Sequence, residues 1–198
     1  MNKPVSGHKL IRFSEKPQHA FLGLSPAKGL LKKIQNFYAG PKPPVNLKMQ
    51  PWYKMHLTLL FWPKVTPEDL FRLKQGFSQA LRNNVPSVSS SIQGFHFFLR
   101  PQVLYLRETS QEIIELQNSM AEMAAHLFPD FLPQKNSDTF TPHWTIARKF
   151  HTAMLGEKPE FFRELDQFKN EGKVPGLSLY YSYGGRYEPQ SISRVVSE

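Results

Sequence analysis

The sequence predicts an α+β protein of two pseudo-symmetric lobes, and three observations carry that expectation. The pattern His56-Leu57-Thr58-Leu59 returns in the other half of the chain as His143-Trp144-Thr145-Ile146. Segments that alternate like strands are interspersed with segments of helical period, and short turns between strands favour antiparallel pairing. At 198 residues and 22.9 kDa the chain is long enough for two small lobes that share an interface.

Taken in order, residues 1–17 mix charges with Pro4, Gly7 and Pro17 and read as a loosely held basic arm. Residues 18–198 then form a single bilobal domain. His19 to Leu24 reads as a strand. Ser25-Pro26 is an N-cap signal for a helix whose apolar face is Leu30, Leu31, Ile34 and Phe37. Gly40-Pro41 stops that helix, and residues 40–51 are a proline-rich connection without regular period.

The first motif strand is expected over about residues 53–61, with His56 and Thr58 on one face and Met55, Leu57, Leu59 and Phe61 on the other. Thr66-Pro67-Glu68-Asp69 opens a helix to about Arg82 with Leu70, Leu73, Phe77 and Leu81 inward. Val88 to Leu99 and Val103 to Arg107 read as an antiparallel pair joined through Arg100-Pro101. His96 within it has no threonine two residues on and is expected to be structural. Ser110 caps a helix with Ile113, Leu116, Met120, Met123 and Leu127 as its stripe. A polar loop over 129–141 delivers the second motif strand, where His143 and Thr145 again share a face. A helix over Pro159 to Lys169 and a hairpin, Leu177 to Tyr183 and Arg186 to Val196, turning at Gly184-Gly185, complete the chain.

Two histidines in one groove suit phosphate ester transfer, where one group removes a proton from the attacking oxygen and another protonates the leaving oxygen. A hydroxyl two residues along each strand, Thr58 and Thr145, points into the same space and can donate to a non-bridging phosphate oxygen. No metal is required, and no cofactor is expected. The chain has no cysteine, which excludes disulfides and thiolate metal sites. With 25 basic against 16 acidic residues it carries a net charge of +9 and a pI near 9.7, so its long-range field attracts polyanions. No apolar run approaches the roughly 20 residues of a membrane span. The N-terminus lacks the apolar run of a secretory signal. A cytoplasmic monomer without membrane contact is expected.

The residues Met55-His56-Leu57-Thr58-Leu59-Leu60-Phe61, Phe140-Thr141-Pro142-His143-Trp144-Thr145-Ile146-Ala147-Arg148-Lys149 and Gly185-Arg186-Tyr187-Glu188 resemble the two-histidine phosphoesterase superfamily, in its bacterial 2′-5′ RNA ligase or RNA 2′,3′-cyclic phosphodiesterase type. The resemblance runs from about Gln18 to Val196 and departs at Trp62-Pro63, where the family has a leucine and a glycine. It implies two lobes, each an antiparallel sheet with helices on the outer face, and an active-site groove between them. It implies His56 as proton donor and His143 as proton acceptor in opening 2′,3′-cyclic phosphate ends of RNA or nucleotides to 2′-phosphates. With a 5′-hydroxyl in place of water, the same geometry gives 2′-5′ ligation. Arg148 matches the family's phosphate-binding cation, yet strand parity puts Lys149 on the His143 face, so the family role requires a bulge. Phe21 is the first candidate for stacking a base, with Trp62 and Tyr53 as others. Two further readings stand beside this one: an enzyme for 2′-5′ oligoadenylates or cyclic oligonucleotides, and a non-catalytic RNA-binding module.

Overall fold

A computed structural model of the protein describes residues 18–81, 87–134, 140–183 and 186–191. The expected N-terminal arm, the end of the second helix at Arg82, the polar centre of the loop before the second motif, the Gly184-Gly185 turn and Val196 lie outside these residues.

Two antiparallel sheets share one apolar core. The first has the order β3-β1-β8-β9, from strands β1 (Gln18–Leu24), β3 (Leu57–Val65), β8 (Leu177–Tyr183) and β9 (Arg186–Ser191). The second has the order β2-β6-β5-β4-β7, from β2 (Lys48–Met49), β4 (Ser89–Phe98), β5 (Val103–Glu108), β6 (His143–Arg148) and β7 (Lys169–Lys173). Halves of the sequence are therefore not lobes. The C-terminal hairpin completes the first sheet, while β2, from the N-terminal half, closes the edge of the second.

Helices α1 (Lys28–Ala39), α2 (Pro67–Ala80), α3 (Gln111–Leu127), α4 (Met154–Glu157) and α5 (Pro159–Asp166) supply the rest of the core. Helix α1 follows a strand of the first sheet but lies against the second lobe, where Phe37 meets Phe161 at 5.1 Å and Lys33 Nζ donates to the Lys169 carbonyl at 2.8 Å. The end of α3 crosses the other way, with Phe128 against Phe77 of α2 at 5.6 Å. These crossings bury apolar surface from both halves in one core, which ties the lobes together.

Local signals hold where no tertiary partner competes for them. Thr66 caps α2 in a reciprocal box with Asp69, its Oγ accepting from the Asp69 N–H at 3.1 Å. Ser25 caps nothing, because its hydroxyl bonds to Tyr180 Oη at 2.7 Å and α1 starts after Ala27. Ser110 precedes α3 without a side-chain cap. Its own N–H instead donates to Glu108. The first motif strand begins at Leu57, later than expected, because Trp52–Lys54 forms a 3-10 turn, and it runs through Trp62-Pro63 to Val65. Sequence pattern does not announce strands β2 and β7. Both are short and polar, and only pairing with a neighbour makes them strands. Helix α5 accordingly stops at Asp166, short of the expected Lys169.

One buried carboxyl organises the second sheet. Glu108, 4% exposed, accepts from Ser90 Oγ at 2.5 Å, the Ser91 N–H at 2.7 Å, the Thr109 and Ser110 N–H groups at 3.1 Å each, and Trp144 Nε1 at 2.9 Å. It joins β4, β5, the start of α3 and the second motif strand.

Candidate active site

The two motif strands meet because each is lashed to the segment that leads into the other. Strand β2 pairs with the end of β6, and the Gln50 N–H donates to the Ile146 carbonyl at 2.6 Å, six residues before His56. Tyr38 Oη donates to the carbonyl of Gln50 at 2.7 Å. Reciprocally, Gln134, in the loop before His143, donates its N–H to the Phe61 carbonyl of β3 at 2.7 Å.

Both motif strands carry an irregularity at the same place. In β3 the register to β1 shifts between Leu60 and Thr58, so Leu59 and Leu60 are both buried. Phe61, expected inward, therefore turns to the half-buried face, and Trp62 enters the core at 0% exposure. Gly23 stands opposite, where a Cβ would come within 2.6 Å of the Leu57 carbonyl oxygen, so only glycine fits. In β6 the register to β5 shifts between Thr145 and Ala147, and Ile146 and Ala147 are both buried. Arg148 then pairs with Val103 and falls on the face of His143 and Thr145. Lys149 lies beyond the strand end in a left-handed conformation, φ +63°.

Each histidine is held in the same way. His56 Nδ1 lies 2.8 Å from the Lys54 carbonyl and His143 Nδ1 lies 2.9 Å from the Thr141 carbonyl, both two residues upstream. A carbonyl only accepts, so each Nδ1 carries a hydrogen and Nε2 is the basic nitrogen of each neutral ring. His56 stacks on Phe21 at 4.4 Å and lies 5.4 Å from Tyr180. His143 lies 5.1 Å from Tyr105 and stands perpendicular to Phe98 at 5.2 Å.

Burial dominates the electrostatics. It pushes the His56 imidazole down to about 4, with the charges of His143 and Arg148 adding to the effect and the Lys54 carbonyl opposing it. His143 is lowered for the same first reason, again with Arg148 contributing and the Thr141 carbonyl opposing. Arg148 contributes to the lowering of both rings, in keeping with its place on the His143 and Thr145 face of β6. Thr58 and Thr145 are half-buried on the same faces as their histidines.

The aromatic candidates separate. Phe21 is 3% exposed, stacked on His56 at 4.4 Å and on Tyr180 at 4.7 Å, so it packs behind the histidine. Trp62 is core, its Nε1 donating to the Phe131 carbonyl at 3.1 Å. Tyr53 is 67% exposed, edge-on to Trp52. His96, expected as a structural histidine, is exposed on the His143 face, its Nδ1 3.3 Å from Tyr105 Oη. Sequence reasoning missed Arg107, which pairs directly with His143 across β5 and β6, and also Phe98, Tyr105 and Tyr180. Their places depend on cross-strand register, which no local pattern announces. Among the described residues, no group of three or more histidine, aspartate or glutamate side chains is placed to hold a metal ion.

A family model described as the 2′-5′ RNA ligase superfamily matches residues 48–186, which include both motifs. Escherichia coli LigT, solved in complex with 3′-AMP, is similar at 21% identity with a TM-score of 0.65, over 91% of this chain and 98% of that one. TT0787 of Thermus thermophilus is similar at 15% identity and 0.66, over 89% and 96%. The MHV ns2 PDE domain is similar at 17% and 0.53, over 83% and 97%. A search of curated protein sequences finds no match.

Proposed function

The chain belongs to the 2′-5′ RNA ligase superfamily of two-histidine phosphoesterases, and from that premise we propose that it is a cyclic phosphodiesterase opening 2′,3′-cyclic phosphate ends of RNA or nucleotides to 2′-phosphates. One observation carries the reading: two imidazoles on adjoining motif strands, each with Nδ1 given to a carbonyl, under the field of one arginine. That Escherichia coli LigT has been solved with 3′-AMP and with ATP supports a nucleotide as ligand.

In the proposed reaction, neutral His143 takes a proton at Nε2 from water as the water oxygen bonds to phosphorus. His56 gives its Nε2 proton to O3′ as the P–O3′ bond breaks, leaving a 2′-phosphate and a 3′-hydroxyl. Thr58 and Thr145 donate to non-bridging oxygens, and Arg148 offsets the negative charge that builds on them. Burial lowers the resting His56 imidazole, so it takes up its proton from solvent as the substrate binds, because the negative phosphate favours the imidazolium. Replacing water by a 5′-hydroxyl gives a 2′-5′ phosphodiester by the same two transfers.

The pair accomplishes both proton transfers without a metal, so turnover should persist in excess EDTA. Residues 18–198 act as one bilobal unit in this proposal, with residues 1–17 outside it. The proposed setting is the cytoplasm, as a monomer. No helix among the described residues is long and apolar enough to cross a membrane. The test is a panel of 2′,3′-cyclic nucleotides, 3′,5′-cyclic nucleotides and 2′-5′ oligomers, with products assigned as 2′- or 3′-phosphates. Opening of the 2′,3′-cyclic members to 2′-phosphates is expected. Cleavage of 2′-5′ oligomers alone would move the activity to that substrate, and hydrolysis of none would make the protein a binding module.

A further inference from the structure

The His143 face of the second sheet continues past the histidine across β5 and β4. Tyr105 forms its floor at 3% exposure, covered by Phe98 at 4.5 Å and 31°, by His143, and by His96 at its hydroxyl. Phe98 is half-buried, with one side of its ring turned to Tyr105 and its plane perpendicular to His143 at 85°. Arg107 is exposed and directly opposite His143 in the β5–β6 register, so its side chain rises on the His143 face. The next residue, Glu108, points the other way into its buried hydrogen-bond cluster. Among the described residues the ion pair within 4.0 Å is Arg72 with Asp130, so no carboxylate there ties up Arg107.

We propose that Arg107 and Phe98 form a substrate subsite that makes the protein a reader of RNA ends rather than of free nucleotides. Arg107 takes the internucleotide phosphate 5′ to the terminal ribose, and Phe98 stacks the terminal base. The inference rests on the cyclic phosphodiesterase reading and specifies its substrate. A terminal ribose with its cyclic phosphate between the histidines sends its base and its 5′ oxygen to different sides of the site. Phe98 stands edge-on to the His143 imidazole, and Arg107 is the cross-strand neighbour of His143 on a different strand. In the proposed reaction Arg148 serves the reacting phosphate, so a second arginine, on the strand next to His143, suits a second phosphate. Phe98 offers a π-face, which stacks any base without selecting among them. The net charge of +9 matches a polyanion.

The test compares a 2′,3′-cyclic mononucleotide with a dinucleotide ending in the same cyclic phosphate, for wild type, Arg107→Ala, Arg107→Lys and Phe98→Leu. Wild type should prefer the dinucleotide, and Arg107→Ala should lower that preference, as a ratio of kcat/KM values, by roughly tenfold, with part restored by Arg107→Lys. Phe98→Leu should lower kcat/KM for both substrates by roughly tenfold and leave the ratio in place. A ratio unchanged in Arg107→Ala would overturn the subsite. In a parallel arm, fluorescence anisotropy follows a labelled oligoribonucleotide with a 3′-phosphate. Arg107→Ala should weaken its binding and reduce the salt dependence by about one counterion. If wild type hydrolyses neither substrate, the cyclic phosphodiesterase reading fails while this arm still decides the subsite, and equal binding by wild type and Arg107→Ala would remove it.

Discussion

The proposed acid and base roles require each imidazole to be held in one orientation, and backbone carbonyls hold both rings at Nδ1. The Lys54 and Thr141 carbonyls fix Nδ1–H on both rings, an arrangement invisible in the alternation of His56-Leu57-Thr58 that locates the pair. The contacts of Phe21 with His56 and Tyr180 come from strand pairing and leave no local trace in the sequence. Burial lowers both imidazoles, so kcat/KM, which follows the free protein, should turn down on its alkaline side below pH about 6.5. In kcat the bound phosphate favours imidazolium, and the same limb should move to higher pH. Coincident alkaline limbs would mean that the substrate does not recharge His56. Stability follows the same group. Its folded value of about 4 lies below the ordinary histidine value of about 6.5, so the unfolded chain takes up the proton first. The contribution is intact above that ordinary value and is lost as pH falls from there toward 4. In urea melts, His56→Gln should therefore gain stability relative to wild type over that window. A difference independent of pH would show that His56 is not buried neutral.

Elements were legible wherever local chemistry settled them. The Thr66 and Asp69 capping box and the β4–β5 hairpin match their patterns, whereas Lys169–Lys173 reads as a polar loop and is a strand only because Ser89 to Gln93 pairs with it. The bulge in β6 could be posed from the sequence as a condition for Arg148 but not located. The register places it at Ile146, where two successive buried residues turn Arg148 back to the histidine face. Glu108 holds this region through Trp144, the residue between His143 and Thr145. Glu108→Ala would take the acceptor from Trp144 Nε1, the Ser90 hydroxyl and the Ser91 and Ser110 N–H groups, while the Thr109 N–H keeps the Ser91 carbonyl at 2.8 Å, and should cost about 3–5 kcal/mol in denaturant unfolding. Glu108→Gln keeps an acceptor and should cost less. Equal and small losses for both would show that water replaces the carboxyl.

At the scale of the whole molecule, the duplicated motif made two lobes legible, while the exchange of β2 and of the C-terminal hairpin between the halves was not, because pairing partners far apart in sequence leave no periodic trace. The net charge of +9 belongs to this scale too. If that field captures RNA, added salt should weaken binding of an RNA ending in a cyclic phosphate far more than binding of a mononucleotide, since the longer chain releases more counterions. Equal salt slopes would make the basic surface a solvated one and favour a small cyclic nucleotide as substrate. The central claim is that His56 and His143 serve one reaction, and its most direct test is the rate of opening of a 2′,3′-cyclic phosphate end in excess EDTA by wild type, His56→Ala, His143→Ala and the double variant. Each single replacement should lose on the order of 10² to 10⁴ in turnover with the fold retained, and the double variant should be little slower than either, with wild type yielding 2′-phosphate. Losses that multiply fully in the double variant, or turnover abolished by EDTA and rescued by a divalent ion, would contradict it.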